Sequence, residues 1–205
     1  MVRVLTTACL LLSLPVTVAS QTWPVSNVER SLGLLTVVAG TGNCTTFSIN
    51  EDEGYWLTAK HCTFEGMDHQ INQRAAVVMY RDAVDDLVVL KGPQAPALRL
   101  AGAPRPGTPL AIIGFPGGLP LTGVNVGVLS SLSTVFTMDD DQRPYVSLTG
   151  TAGVAGMSGS PIITTRGDVV SVYTFSICRN EQPMCYVASG VSYQTVRRVM
   201  QMFGG

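Results

Sequence analysis

Gly156-Met157-Ser158-Gly159-Ser160-Pro161 contains one serine between two glycines. Glycine adopts backbone angles that other residues avoid, so the chain can turn sharply here and present the Ser158 hydroxyl to a substrate. The backbone amides of Gly156 and Ser158 can then converge on one point and stabilise a developing oxyanion. The stretch favours a nucleophilic serine, and it is also typical of an ordinary loop between two strands.

A histidine and an aspartate upstream support the nucleophile. His61 follows an apolar run and precedes a cysteine, and Asp86 opens a second apolar run at 87–90. A serine nucleophile needs a base that takes its proton, and the base needs an acid that fixes its tautomer. His69, the other histidine, has no comparable setting. We therefore predict a catalytic triad of His61, Asp86 and Ser158.

Two further aspartates compete with Asp86 for the role of the acid. Asp82 and Asp85 lie in the same acidic turn. Asp86 directly precedes the apolar run, so we expect its side chain to point inward. We expect Asp82 and Asp85 to be solvated, since like charges so close together resist joint burial.

The motifs around these residues resemble those of the trypsin/chymotrypsin-like serine proteases. Residues 58–62 are similar to the family motif T-A-A/G-H-C, with Lys60 in place of a small residue. Residues 156–161 are similar to G-D/N-S-G-G-P, with Ser160 in place of a glycine. The order His, Asp, Ser along the chain is also that of chymotrypsin-like proteases, whereas subtilisins and α/β-hydrolases have other orders.

Within this family the chain is most similar to the Deg/Htr-type and other bacterial-style members. Residues 82–87 resemble D-x-x-x-D-L/I, residues 113–116 resemble I-G-N/F/Y-P, and residues 167–170 resemble G-x-V-V/I. No residue follows Gly205. We therefore expect a protease domain without the PDZ domain of Deg/Htr proteins.

Short apolar runs separated by regular turns agree with the fold that the resemblance implies. We expect an all-β protein with two antiparallel six-stranded β-barrels and a C-terminal α-helix packed on the second barrel. The helix is predicted from the spacing of Val196, Val199, Met200 and Phe203, with Ser192 as its cap.

The predicted organisation has three parts: a signal peptide at 1–20, an arm at 21–36 and a protease domain at 37–205. Within the protease domain we predict a first barrel at 37–92, a Pro/Ala/Gly-rich connection at 93–107, a second barrel at 108–191, and a helix and tail at 192–205.

The N-terminal segment has the pattern of a secretory signal peptide. Arg3 is followed by a mostly apolar run at 4–18, and the small residues Ala19 and Ser20 suit a cleavage site. The apolar run is shorter than the roughly 20 residues of a membrane-spanning helix. We therefore expect a secreted or periplasmic protein that is not inserted in the membrane once the signal is removed.

Four cysteines follow this segment: Cys44, Cys62, Cys178 and Cys185. An even number in an exported chain suggests disulfides, and four cysteines allow three pairings. We expect Cys44–Cys62, a bridge that the family often has, and Cys178–Cys185, which would close a short loop. A metal site is disfavoured because the chain has no CxxC pair and only two histidines.

The resemblance also implies a role for each site residue. Ser158 would attack the scissile carbonyl, His61 would take and return the proton, and Asp86 would orient His61. The amides of Gly156 and Ser158 would form the oxyanion hole, and no cofactor would be needed. In chymotrypsin-type zymogens an aspartate precedes the nucleophile and pairs with a new N-terminal amine. Met157 cannot form that ion pair, so we expect no activation cleavage.

The pocket for P1, the side chain that precedes the scissile bond, follows from the same resemblance. Ala152, six positions before the nucleophile, would lie at its base, and the opposite wall would include Tyr173, Thr174 and Phe175. No Asp or Glu occurs at 146–166, and a buried cation without a partner is costly. We therefore expect uncharged P1 residues, aliphatic before aromatic.

The composition limits the possible functions. The 205 residues are 46% hydrophobic and 13% charged, which supports a large core and argues against disorder. The formal net charge of −1 provides no basic field for nucleic acid. We therefore expect a monomeric secreted serine endopeptidase that acts on proteins or peptides. The alternatives are a catalytically silent binding protein on the same fold and a hydrolase that prefers esters.

Overall fold

The structure, a computed structural model, describes residues 22–38, 42–135, 143–178 and 185–204. The predicted signal peptide at 1–20 lies outside these residues. The described chain forms two closed antiparallel β-barrels, each with six strands, as the sequence predicted. No helix in these ranges is long and apolar enough to cross a membrane.

The first barrel closes in the order β1-β2-β3-β6-β5-β4. Its strands are β1 Leu32–Val37, β2 Asn43–Asn50, β3 Tyr55–Thr58, β4 His69–Ile71, β5 Arg74–Arg81 and β6 Val88–Lys91. The second barrel closes in the order β10-β11-β12-β9-β8-β7. Its strands are β7 Pro109–Gly114, β8 Gly123–Val135, β9 Pro144–Thr149, β10 Pro161–Ile163, β11 Val169–Cys178 and β12 Cys185–Val191.

The start of the first barrel differs from the predicted boundary at 37. Strand β1 lies largely within the predicted arm at 21–36, because its buried apolar side chains pair it with β2 and β4. Before it, the short helix α1, Val25–Glu29, buries Val28 in the core shared by the two barrels. The arm is therefore packed onto the protein rather than separate from it.

The core is continuous between the barrels. One apolar cluster combines Phe47 and Leu57 of the first barrel with Ile113 and Val172 of the second. Each barrel also has its own smaller cluster. Since burial of apolar surface is the main favourable term in folding, the shared cluster holds the two barrels against each other.

The C-terminal helix α2, Tyr193–Phe203, begins where the sequence predicted. The Ser192 hydroxyl accepts a hydrogen bond from the Thr195 amide at 3.2 Å and caps it. The helix contacts the first barrel as well as the second, which the sequence did not predict. The Phe203 ring packs edge-on against Tyr55 with centroids 5.4 Å apart, and the Asn50 side chain donates to the Phe203 carbonyl.

The aspartates expected to be solvated are both buried, so that prediction was wrong. Asp82 is 3% exposed and Asp85 is 7% exposed. The reason is that helix α2 supplies donors for both carboxylates: Arg198 Nη2 donates to Asp82 Oδ2 at 2.5 Å, and the Thr195 hydroxyl donates to Asp85 Oδ2. A paired carboxylate can be buried where an unpaired one cannot.

The pKa of Asp82 is lowered from 3.8 to about 2. Burial acts to raise this pKa, but hydrogen bonds from the amides of Asp85 and Val84, the Tyr80 hydroxyl and the Arg198 guanidinium together outweigh it. The folded protein thus binds this proton more weakly than the unfolded chain does. The resulting stabilisation is present above pH 3.8 and is lost as the pH falls towards 2.

We therefore expect Asp82→Asn to make the free energy of unfolding depend less on pH in the acidic range. Between pH 5 and pH 2 the free energy of unfolding of the unsubstituted protein should fall by about 2 kcal/mol more than that of the variant. Urea unfolding at a series of pH values measures the difference. Asp52→Asn, which removes an exposed carboxylate from the first barrel, serves as the control and should retain the unsubstituted pH dependence. Parallel pH curves for Asp82→Asn and the unsubstituted protein would contradict the assignment.

Candidate active site

His61 and Asp86 contact each other at two points. His61 lies in a single 3-10 turn, Lys60–Cys62, directly after β3. Its backbone N–H donates to Asp86 Oδ1 at 2.8 Å, and its ring Nδ1 lies 2.6 Å from Asp86 Oδ2. A carboxylate at Nδ1 favours a proton on that nitrogen and leaves Nε2 free to accept one. The arrangement therefore orients the imidazole as a general base.

The pKa of Asp86 is lowered. Burial acts to raise it, but the hydrogen bonds and positive charge of His61, with a smaller contribution from the Lys60 ammonium, outweigh burial. The side chain is 21% exposed and that of His61 is 49% exposed. The carboxylate thus stays ionised beside a histidine that substrate and solvent can reach.

Both predicted disulfides are present, Cys44–Cys62 and Cys178–Cys185. The first joins β2 to the turn that carries His61. Cys44, His61 and Cys62 also lie close enough together to suggest a metal site. The two sulfurs are bonded to each other, however, and offer no thiolate to an ion. This part of the structure therefore fits a structural bridge rather than a metal centre.

The loop around Ser158 requires both of its glycines. Gly156 has φ +85°, and a Cβ there would lie 2.3 Å from the Gly118 amide nitrogen. Gly159 has φ +83°, and a Cβ there would lie 2.1 Å from the Thr45 carbonyl oxygen. Both positions combine left-handed backbone with backbone contact, so only glycine fits.

Thr45 of β2 joins this loop to the first barrel. Its amide donates to the Ser158 carbonyl at 2.9 Å, and its hydroxyl donates to the Gly156 carbonyl at 3.0 Å. The same hydroxyl accepts from the Phe115 amide at 2.9 Å. The Thr45 carbonyl in turn accepts from the Thr58 hydroxyl at 2.7 Å, at the end of the strand that leads to His61. These contacts bring the His61 turn and the Ser158 loop to the same cleft.

The Ser158 hydroxyl lies in the cleft between the barrels. Its hydrogen bond within the described residues is to the carbonyl of Thr174 in β11, at 3.4 Å. This is long for a hydroxyl donor. The hydroxyl is thus weakly held, and a small rotation frees it.

The amides on either side of Met157 are available to a ligand. Those of Met157, Gly159 and Ser160 donate to backbone carbonyls, whereas those of Gly156 and Ser158 donate to nothing within the described residues. Backbone N–H groups that have no acceptor of their own, next to the Ser158 hydroxyl, match the requirement of an oxyanion hole.

Met157 and Asn125 organise the inner side of the same loop. Met157 is 1% exposed and belongs to the core of the second barrel. The Asn125 side chain of β8 donates to the Ala152 carbonyl at 2.5 Å and contacts the Met157 sulfur at 3.6 Å. Sequence reasoning missed Asn125, because no local motif marks an asparagine within a strand.

The predicted P1 pocket residues come from the segment that precedes Ser158 and from β11, and these two segments lie side by side. The Tyr173 ring fills the space between them. Its ring is 4% exposed, and its hydroxyl lies 2.8 Å from the Ser176 hydroxyl, which also accepts from the Gly153 amide. A Cβ on Gly153 would lie 2.5 Å from the Tyr173 ring. Burial raises the pKa of Tyr173, so the phenol stays neutral.

The other predicted pocket residues surround this ring. Ala152 precedes Gly153 and is partly exposed. Thr174 is 5% exposed and donates to the Ser189 carbonyl at 3.2 Å. Phe175 follows an irregularity in the pairing of β11 with β12, and its ring packs edge-on against Tyr145 of β9 with centroids 5.2 Å apart.

A model of the trypsin-like peptidase domain matches residues 44–172. This range includes most of both barrels, with His61, Asp86 and Ser158. The chain belongs to the trypsin-like peptidase family. It is a serine endopeptidase, and therefore a hydrolase.

Solved structures of the protease Rv3671c from M. tuberculosis H37Rv have a similar fold. Its inactive form matches with a TM-score of 0.70 and 18% identity, covering 88% of this chain and 92% of that chain. Its active form has the same score and identity, with 89% and 85% covered. An inactive serine-to-alanine mutant matches at 17% identity, with 87% and 88% covered. A search of curated proteins found no match.

We expect Thr45→Val to damage both stability and the site. The substitution keeps the shape of the side chain but leaves the Phe115 amide and the Gly156 carbonyl without a partner, at a cost of about 1–3 kcal/mol. Urea unfolding measures this loss, and the rate of peptide hydrolysis per folded molecule should fall with it. Thr46→Val is the matched control, since its hydroxyl donates only within the first barrel, to the Leu57 carbonyl. An equal rate per folded molecule in the two variants would contradict the role of Thr45.

Proposed function

We propose that this chain is an exported endopeptidase in which Ser158, His61 and Asp86 form the catalytic triad. The observation that carries the proposal is the two-point contact between Asp86 and His61, on a cleft whose other side is the Ser158 loop. In this proposal the acid fixes the tautomer of the base, and the base takes the proton of the nucleophile.

Ser158 attacks the scissile carbonyl and His61 Nε2 takes its proton. The carbonyl oxygen becomes negative, and the amides of Gly156 and Ser158 donate to it. His61 then protonates the leaving amine, which departs and leaves an acyl group on Ser158. Water, activated by the same imidazole, hydrolyses the acyl-enzyme. Asp86 stays ionised and stabilises the imidazolium in each half-reaction.

The oxyanion hole is formed without an activation cleavage. Support comes from Met157, whose apolar side chain packs into the core of the second barrel. The loop therefore needs no ion pair with a new N-terminus, and Asn125 ties it to β8 instead. The enzyme is active once the signal peptide at 1–20 is removed.

Two disulfides indicate an extracytoplasmic location, because thiols stay reduced in most cytosols. The signal peptide directs the chain to the periplasm or the exterior. Peptides and proteins are its substrates, and the pocket accepts uncharged P1 residues. Tyr173 makes that pocket shallow, so small and medium aliphatic side chains are preferred over aromatic ones.

We expect Ser158→Ala to abolish turnover and leave the fold intact. Loss of the nucleophile removes the covalent route and commonly costs about 10⁴-fold or more in rate. Hydrolysis of a chromogenic peptide with alanine at P1 and labelling by a fluorophosphonate probe both report the change.

Ser160→Ala is the matched control for this experiment. Its hydroxyl is buried and has no hydrogen-bond partner within the described residues, so its removal should leave hydrolysis and labelling in place. A Ser158→Ala protein that kept more than about a tenth of the original rate would show that another residue is the nucleophile.

We expect Tyr173→Ala to widen the P1 preference towards aromatic residues. Removal of the ring opens the space between Gly153 and Ser176, and the rate ratio of P1 Phe to P1 Ala peptides should rise about tenfold or more. Tyr173→Phe keeps the ring and should keep the original ratio. Matched peptides that differ only at P1 measure it. If both variants retained the original ratio, the side chain of P1 would be bound elsewhere.

A further inference from the structure

Two buried carboxylates next to the catalytic acid have no part in the mechanism above. The turn between β5 and β6 carries Asp82, Asp85 and Asp86, and of these only Asp86 contacts His61. Asp82 and Asp85 are less exposed than the catalytic acid itself. Burying a carboxylate is costly unless it is well bonded. Their partners therefore indicate what the turn depends on.

Asp82 organises the backbone that leads to Asp86. Its Oδ1 accepts from the Val84 amide at 3.0 Å and from the Asp85 amide at 2.9 Å. Its own amide donates to the Leu87 carbonyl at 2.9 Å, which closes the turn around Asp86. An aspartate that bonds the amides two and three residues ahead fixes the path of the chain between them.

The same carboxylate is held from outside by helix α2. Asp82 Oδ2 accepts from Arg198 Nη2 at 2.5 Å and from the Tyr80 hydroxyl at 2.9 Å, and Arg198 Nη1 also donates to the Tyr80 hydroxyl at 3.3 Å. The Arg198 guanidinium thus binds both the Asp82 carboxylate and the Tyr80 hydroxyl that donates to it.

Helix α2 makes a second contact one residue before the catalytic acid. The Thr195 hydroxyl donates to Asp85 Oδ2, and it accepts from the hydroxyl of Ser192, the helix cap, at 3.0 Å. The first turn of the helix therefore reaches the residue that is covalently joined to Asp86.

The position of His61 depends on the same turn as that of Asp86. Lys60, which precedes His61, donates from Nζ to the Asp82 carbonyl at 2.8 Å. The turn at 82–87 is thus joined to the base through Lys60 and to helix α2 through Arg198 and Thr195. Helix α2 follows the last strand of the barrel that carries Ser158.

We propose that Arg198 and Thr195 are positioning residues for catalysis: they hold the acid turn of the first barrel in a fixed place relative to the second barrel, so that Asp86 keeps its two contacts with His61. The proposal rests on the catalytic roles proposed above for His61, Asp86 and Ser158. Its physical basis is that proton transfer depends steeply on geometry, and a displacement of about 1 Å can cost about 100-fold in rate.

The test compares Arg198→Met and Thr195→Val with Arg197→Met. Arg197 is an exposed neighbour on the same helix, so its substitution removes the same charge without touching the turn. We expect the first two variants to lower kcat by about 10- to 100-fold with little change in KM, and Arg197→Met to leave both constants as they are. Thr195→Ser, which keeps the hydroxyl, should recover most of the rate lost in Thr195→Val.

A double-mutant cycle distinguishes positioning from simple destabilisation. In an Asp86→Asn background, Arg198→Met should cause little further loss, since it acts through the carboxylate that is already gone.

Three results would overturn the proposal: rates equal to those of Arg197→Met, an undiminished loss of rate from Arg198→Met in the Asp86→Asn background, or loss of folding in both variants by thermal melting. Fluorophosphonate labelling of the unsubstituted protein distinguishes a failure of the positioning role from a failure of the proposed catalytic function. If that protein is labelled at Ser158 and active, such results refute the positioning role alone. If it is neither labelled nor active, the proposed function fails, and the positioning role fails with it.

Discussion

The hydrogen bonds of Thr45 connect the two barrels at the cleft. One residue of β2 binds the carbonyls of Gly156 and Ser158 and the Phe115 amide, and it accepts from Thr58. Thr45 is fully buried, so its own polar groups depend on these partners rather than on water. The shared apolar cluster holds the barrels together without directional preference, whereas these bonds are directional and set the position of one loop against the other.

Helix α2 adds a second connection between the barrels, at the turn that contains Asp82 and Asp85. Thr45 relates the Ser158 loop to the strand that precedes His61, and Arg198 and Thr195 relate the second barrel to the turn that precedes Asp86. The proposed triad therefore lies between two sets of inter-barrel bonds. A site divided between two barrels needs such connections, because neither barrel alone fixes the distance between His61 and Ser158.

Much of the candidate site could be predicted because its signals are local. The glycines around Ser158 are read from six consecutive residues, and both proved to have positive φ. Asp86 was distinguished from its neighbours by its place at the start of a strand. The burial of Asp82 and Asp85 was not predictable in the same way: repulsion between nearby carboxylates is visible in the sequence, but the donors that offset it lie 116 and 110 residues away.

The sequence by itself determined the order of the strands' apolar runs, the cap of helix α2, and the residue types that nucleophilic chemistry requires. These depend on neighbours along the chain. The tertiary structure alone decided which residues hold the site in place: Thr45, Asn125, Thr195 and Arg198 have partners far away in sequence, and nothing in their local context distinguishes them from other polar residues. It also decided where the Tyr173 ring lies. The direction of the ring follows from strand register and from the space left by Gly153, and a side chain's surroundings exist only after the barrel has closed.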